Sequence, residues 1–572
     1  MNRTAILICL LLSACAGNPN LNTSSSSALA ETEGAPSQSE QTSGSLTNDL
    51  VYHTLASEIA AQRGKQSMAF EHALQVARES RDALSAERAT SLALQANLPD
   101  KALTAAKLWM EIEPDELKAY QIAAIINIRA NKMDEAIAQL QKVIKIANKN
   151  GQSGYVQAAA IAEKSGNPNK SLALMQQLVP QETNSSKAFY ALALVANRAK
   201  QRELALEYVE KSLLLDPKST QSLVLKAHTL IAMKQEQQGV DFLKQAVQDQ
   251  PDNIKLGHAY ARVLLEINQP EASLEQFLKL HQLAPDNSDF TFSLGMIYMQ
   301  LDQYDEASSY LSKLTQSRSK RNEANFYLGA IAEEQKAVEN ALDRYSRVEG
   351  KHLADAQVRI AKILSDQGNL KQARETLQRL RVNQSRNQLK FYMIEAELLR
   401  EAGDYTSAHE VYTKALERFE DNIDLLYARG LNAADLKRVD LLEQDLRKIL
   451  ATQPQHADAL NALGYTLADQ TDRLEEAKEY IQKALSLKPD NPAVLDSIGW
   501  VEYRLGNYET ALAHLEKAAE ISPDAEIASH LGEVLWVMGQ QERALEIWDA
   551  ANKREPENRF IRPAMIRLGV EN

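Results

Sequence analysis

The chain has only two cysteines in 572 residues, Cys9 and Cys15. Both stand within the first fifteen positions, so no thiolate cluster can hold a metal and no disulfide can staple the body of the protein. Aromatic residues are only 6% of the chain, and only four tryptophans occur. Runs of alternating β-branched residues are missing, which excludes an extended sheet. Clustered positive charge is also missing. The formal net charge is −13, which disfavours nucleic acid and broad contact with anionic lipid. Its plain consequence is solubility. Local basic stretches such as Arg318-Ser319-Lys320-Arg321 read as solvated helix ends.

Catalytic constellations are lacking too. Gly64-Lys65-Gln66-Ser67 has neither the leading glycine spacing nor the preceding strand of a phosphate loop. His409-Glu410-Val411-Tyr412-Thr413 carries threonine where a zinc helix needs its second histidine. Gly151-Gln152-Ser153-Gly154 is no nucleophile elbow. The ten histidines are scattered and read as surface or partly buried helix residues. No catalytic residue, cofactor or metal is assigned, and the chain is not read as an enzyme.

One apolar run exists, Ala5 to Leu12 behind Arg3. Eight helical residues span about 12 Å, well short of a bilayer core of roughly 30 Å. Residues 1–14 therefore read as a signal peptide. The run ends in Leu12-Ser13-Ala14-Cys15, which is similar to the bacterial lipobox. That resemblance implies cleavage before Cys15 and acylation of its thiol. Ala16, in place of an aspartate, points to the outer membrane and its periplasmic face. Residues 16–49 contain Ser24-Ser25-Ser26-Ser27, no aromatic residue and no lysine or arginine. Such a composition reads as a disordered tether with a root-mean-square span of about 32 Å.

What is present is a period. Ala69, Ala102, Ala136, Ser171, Ala205, Gly239, Ser273, Ala307, Ala341, Ala373, Ala408, Leu442, Ala477, Ala511 and Ala544 follow one another at steps of 32 to 35 residues. A fixed step of this size marks a helix–turn–helix unit repeated as a solenoid. The clearest unit is 492–524. Leu495, Ile498, Gly499 and Tyr503 fall on its first helix, Ala511, Leu515 and Ala518 on its second, and Pro523 closes it. Gly499 permits close approach of a second backbone, and Ala511 sits where the two helices cross. Closing prolines recur at Pro114, Pro217, Pro251, Pro285, Pro454, Pro489 and Pro556, and Leu-Gly pairs at 294–295, 328–329, 463–464 and 531–532.

These residues resemble the tetratricopeptide repeat from about Leu50 to Pro556. The resemblance implies an all-α solenoid superhelix of about fifteen units. The solenoid is expected to divide into divergent repeats at 50–185, a central array at 186–456, well-matched repeats at 457–556 and a cap at 557–572. The pattern thins around 151–181, and Leu442 at a crossing position is expected to push its two helices apart. Residues 559–568 read as a solitary end helix that covers the last apolar face.

In this repeat type the first helices line the concave wall. Their exposed positions give Tyr427, Asn461, Tyr465, Asp496, Trp500, Tyr503 and Trp536 as candidate protein- or peptide-binding residues, with Ser529 and Glu533 beside them. Trp109 and Trp548, on second helices, read as packing. Met393, Glu397 and Arg400 form no evident cluster.

The stretch Leu460-Asn461-Ala462-Leu463-Gly464-Tyr465-Thr466-Leu467-Ala468-Asp469, followed by Asp496-Ser497-Ile498-Gly499-Trp500-Val501, is similar to long repeat lipoproteins of proteobacteria. That likeness implies an adaptor whose partners are a periplasmic carboxyl-terminal processing protease and its cell-wall hydrolase substrates. The alternative is an assembly factor for an envelope machine, such as a type IV pilus or the apparatus for outer-membrane protein insertion. An enzyme of wall or polysaccharide metabolism would need reactive pairs that the chain does not show.

Overall fold

A computed structural model describes residues 48–570, except 181–182 and 557. The signal peptide, Cys15 and all but the last two residues of the tether lie outside the described residues. Among the described residues there are 31 α-helices, three short 3₁₀ turns and no strand. Thirty of the helices pair as fifteen consecutive helix–turn–helix units, from Asn48–Gln62 with Gln66–Ser80 to Ala525–Val537 with Gln541–Arg554. The remaining helix, Ile561–Arg567, follows the last pair. The described chain falls into two compact units divided between Lys313 and Leu314.

Each pair is held by the small residue that sets the period. All eleven alanines and Leu442 are fully buried, as are Ser273 and, to within 1%, Ser171. A large residue four positions later covers a glycine of the first helix. Leu311 packs on Gly295, Tyr345 on Gly329, Ile481 on Gly464, Leu515 on Gly499 and Trp548 on Gly532. A Cβ on Gly499 would lie 2.6 Å from Leu515, and one on Gly532 only 2.1 Å from Trp548 Nε1. These glycines are therefore required by the partner side chain. Where serine replaces the alanine, its hydroxyl bonds across the crossing: Ser171 Oγ to the Ala162 carbonyl and Ser273 Oγ to the Ala261 carbonyl, both at 2.8 Å.

In the unit with Leu442, a Cβ on Gly430 would meet the Leu446 side chain and Asp445 Cβ, at 3.3 to 3.7 Å. The two helices pack against each other there as in the other units. The unit around 151–181 does form, but as short helices, Gly154–Ala162 and Pro168–Leu178, with a 3₁₀ turn between them. The end helix begins at Ile561 and buries Ile561 and Ala564 completely.

A left-handed residue ends most first helices. Glycine fills that place at Gly403, Gly506 and Gly539. Asn97, Asn131, Lys200, Lys234, Asn268, Asp302, Lys336 and Lys437 fill it elsewhere, with φ from 55 to 66°. The turn is thus preserved where glycine is not.

Candidate functional site

The sequence-assigned binding residues all fall on first helices of the second compact unit, between Ile423–Asp435 and Ala525–Val537. The structure groups them unequally. Tyr427 stands apart. It is half-buried and lines an open groove of about 520 Å³ with Leu389, Met393 and Arg400 from Gln388–Glu401, and Asp424 and Leu431 from its own helix. Burial, and then Asp458, raise the Tyr427 hydroxyl above the ordinary tyrosine range. Met393 and Arg400 therefore do join a cluster, contrary to the sequence reading. The cluster forms only when two neighbouring units are stacked, so one helix alone does not reveal it. Arg400 is held by Glu397 at 3.2 Å and Asp435 at 2.9 Å. Burial opposes its charge, but those two carboxylates keep it protonated more firmly than usual.

Tyr465, Asp496, Trp500 and Tyr503 come together around a residue that the sequence reading passed over, His530. Its Nδ1 lies 2.9 and 3.1 Å from the Asp496 carboxylate oxygens. The imidazole stacks on Trp500 with ring centroids 4.1 Å apart and planes inclined by 22°. Tyr503 flanks Trp500 at 5.2 Å, and Tyr465 lies 6.1 Å from His530. The Tyr465 hydroxyl donates to Glu526 at 2.7 Å, from two units away. Burial, then the carboxylates of Glu526, Asp469 and Asp496, drive the Tyr465 hydroxyl far above its ordinary range. Burial also raises Glu526 against the opposing hydrogen bond from Tyr465.

These residues are not the exposed wall that the periodic reading expected. Trp500 is only 6% exposed, and Asp496 and Glu533 are buried as well. The physical reason is the side chain from the next unit: His530 occupies the space over Trp500. Trp536 is half-buried against Trp548, at 6.0 Å between rings, so it packs within its own unit. Trp109 and Trp548 are both buried. Two polar atoms of the wall have no partner, Trp500 Nε1 and Asn461 Oδ1. Glu533 pairs with Arg567 of the end helix, and Ser529 Oγ donates to the Phe560 carbonyl at 3.2 Å. His530 and Asp496 are 34 positions apart, which is one repeat. That same-register pairing of a base with an acid was the available signal.

Among the described residues, no group of three or more His, Cys, Asp or Glu side chains is placed to hold a metal ion. No described helix is long and apolar enough to cross a membrane.

Family models described as "Tetratricopeptide repeat" match residues 259–312, 293–352, 358–423, 395–441, 457–491 and 497–559. The model described as "Anaphase-promoting complex, cyclosome, subunit 3" matches 164–246. TPR repeat-containing protein PA4667 of Pseudomonas aeruginosa is 38% identical over 504 residues, covering 86% of this chain and 83% of that protein. The chain belongs to the tetratricopeptide-repeat proteins, whose arrays mediate protein–protein interactions. Among solved structures, a chain of the APC/C hetero-tetramer Cut9–Hcn1 is similar at 13% identity, with 91% of this chain and 96% of that one covered and a TM-score of 0.32. A chain of Naa15/Naa10 bound to HypK-THB is similar at 16% identity, with 69% and 67% covered and a TM-score of 0.31. At those scores neither bears on the function of this chain.

Proposed function

We propose that the protein is a non-catalytic, lipid-anchored adaptor that brings a periplasmic carboxyl-terminal processing protease together with its cell-wall hydrolase substrates. The protein-binding part rests on one observation above others. Neighbouring first helices line an open groove of about 520 Å³ with Leu389, Met393, Tyr427 and Leu431, beside the charged Lys390, Arg400 and Asp424. Apolar anchors in a groove beside a few placed charges are what a polypeptide partner needs. The choice of protease and hydrolases rests on the likeness of residues 460–469 and 496–501 to the adaptor lipoproteins. Attachment to the outer membrane rests on the lipobox ending at Cys15. The mechanism is proximity: two partners on one array meet at an effective concentration of order millimolar.

Affinity capture from membrane extract tests the reading. The wild type is expected to recover a serine protease and wall hydrolases, and Met393→Ala with Tyr427→Ala to lose at least one of them. Recovery of neither class by the wild type overturns the adaptor reading. Undiminished recovery by the double variant overturns the assignment of the groove.

A further inference from the structure

The wall of the last three units is closed by the chain itself. Tyr465 of the first of these units reaches Glu526 of the third, at 2.7 Å across 61 residues. His530 of the third unit fills the space over Trp500 of the second and holds Asp496 at 2.9 Å. Arg567 of the end helix ties the same first helix through Glu533. We propose that these contacts form an intramolecular latch over the inner wall of residues 457–537, closed by the positive charge of His530 and opened when that charge is lost.

The charges around His530 support this. Helix Pro492–Arg504 presents Asp496. Helix Ala457–Gln470 presents Tyr465, with Asp469 nearby. The histidine's own helix presents Glu526 and Glu533, and Ile561–Arg567 presents Arg567 to Glu533. Helix Gln541–Arg554 contributes the uncharged Trp548, against Gly532. Burial disfavours the imidazolium, but Asp496, Glu526 and Glu533 together outweigh it and hold His530 protonated above the ordinary histidine range. Among the described residues, the buried Asp496 carboxylate is hydrogen-bonded to His530 through both of its oxygens. A neutral imidazole would leave the buried Asp496 carboxylate and the half-buried Glu526 without a cation between them. The closed state is also imperfect. Trp500 Nε1 and Asn461 Oδ1 are buried and unpaired, and opening would return both to water or to a partner's backbone.

The sign follows. The folded value of His530 lies above its unfolded value of about 6.5. Its contribution is therefore complete below that value and is lost as pH rises through the folded one. This concerns the inner wall of the proposed adaptor, but it is tested on the isolated full chain with no partner, so the two readings fail separately. Hydrogen exchange, corrected for the intrinsic pH dependence, is measured from about pH 6 to about pH 9 on peptides covering 457–470, 492–504 and 525–537. The wild type is expected to lose protection in all three as pH rises through the folded value of His530. Helix Thr220–Ala232 of the other compact unit is expected to keep its protection. His530→Gln is expected to abolish the step and leave exchange fast throughout. Tyr465→Phe, which removes one oxygen and keeps the ring, is expected to speed exchange at the acidic end and serves if His530→Gln does not fold. Protection that stays flat with pH in the wild type, or that Tyr465→Phe leaves unchanged, overturns the latch.

Discussion

Gly430 and Gly532 hold the same place in their first helices, twelve positions before the crossing residue, yet they face different neighbours. At Gly532 the indole of Trp548 is so near that a Cβ would stand 2.1 Å from it, whereas at Gly430 the nearest atom would be a flexible leucine methyl at 3.3 Å. Gly532→Ala is expected to cost about 1–3 kcal/mol through overpacking of a rigid ring. Gly430→Ala is expected to shift stability by less than about 1 kcal/mol, because relief of glycine's helix penalty offsets the tight contact. Thermal melts of the two variants check this pair, and equal losses would contradict the packing described here. The periodic alanines were legible because each meets a demand confined to one unit.

Between elements the decisive contacts are charged. Glu395, fully buried on Gln388–Glu401, receives Arg374 and Gln378 at 3.1 and 3.0 Å and also pairs with Arg381, all from the preceding helix. Arg381 in turn lies 4.1 Å from the Tyr392 ring. Glu395→Ala leaves Arg381 nearly buried without its anion and is expected to cost about 3–5 kcal/mol. Because each unit contacts mainly its neighbours, the loss is expected as fast hydrogen exchange over residues 353–435, with 457–537 unaffected. A uniform loss across the chain would contradict a nearest-neighbour array. The turns show why parts of the array were hard to read. Asn97, Asn131, Lys200 and Lys234 adopt the left-handed conformation that pattern reading assigns to glycine. The closed inner wall was not legible for a different reason. Tyr465 and Glu526 meet across a whole intervening unit, and that depends on how successive units turn against each other. The same rotation decides that Trp500 faces His530 and that Met393 joins Tyr427.

At the scale of the whole molecule, the proposed work is to hold partners near a surface. A single acyl chain gives only marginal attachment, so the several chains implied at Cys15 would be needed for stable anchoring. Cys15→Ala is expected to move the protein from the membrane to the soluble fraction while leaving its helix content unchanged. Continued sedimentation with membranes would contradict the anchor. Such a variant should still join its partners in solution but lose their confinement to the envelope. The most direct measurement is cleavage of a purified wall hydrolase by a purified carboxyl-terminal processing protease, with and without this protein. Acceleration by the wild type, reduced in Met393→Ala with Tyr427→Ala, is the predicted result. An unchanged rate, with both partners present and folded, would contradict the account.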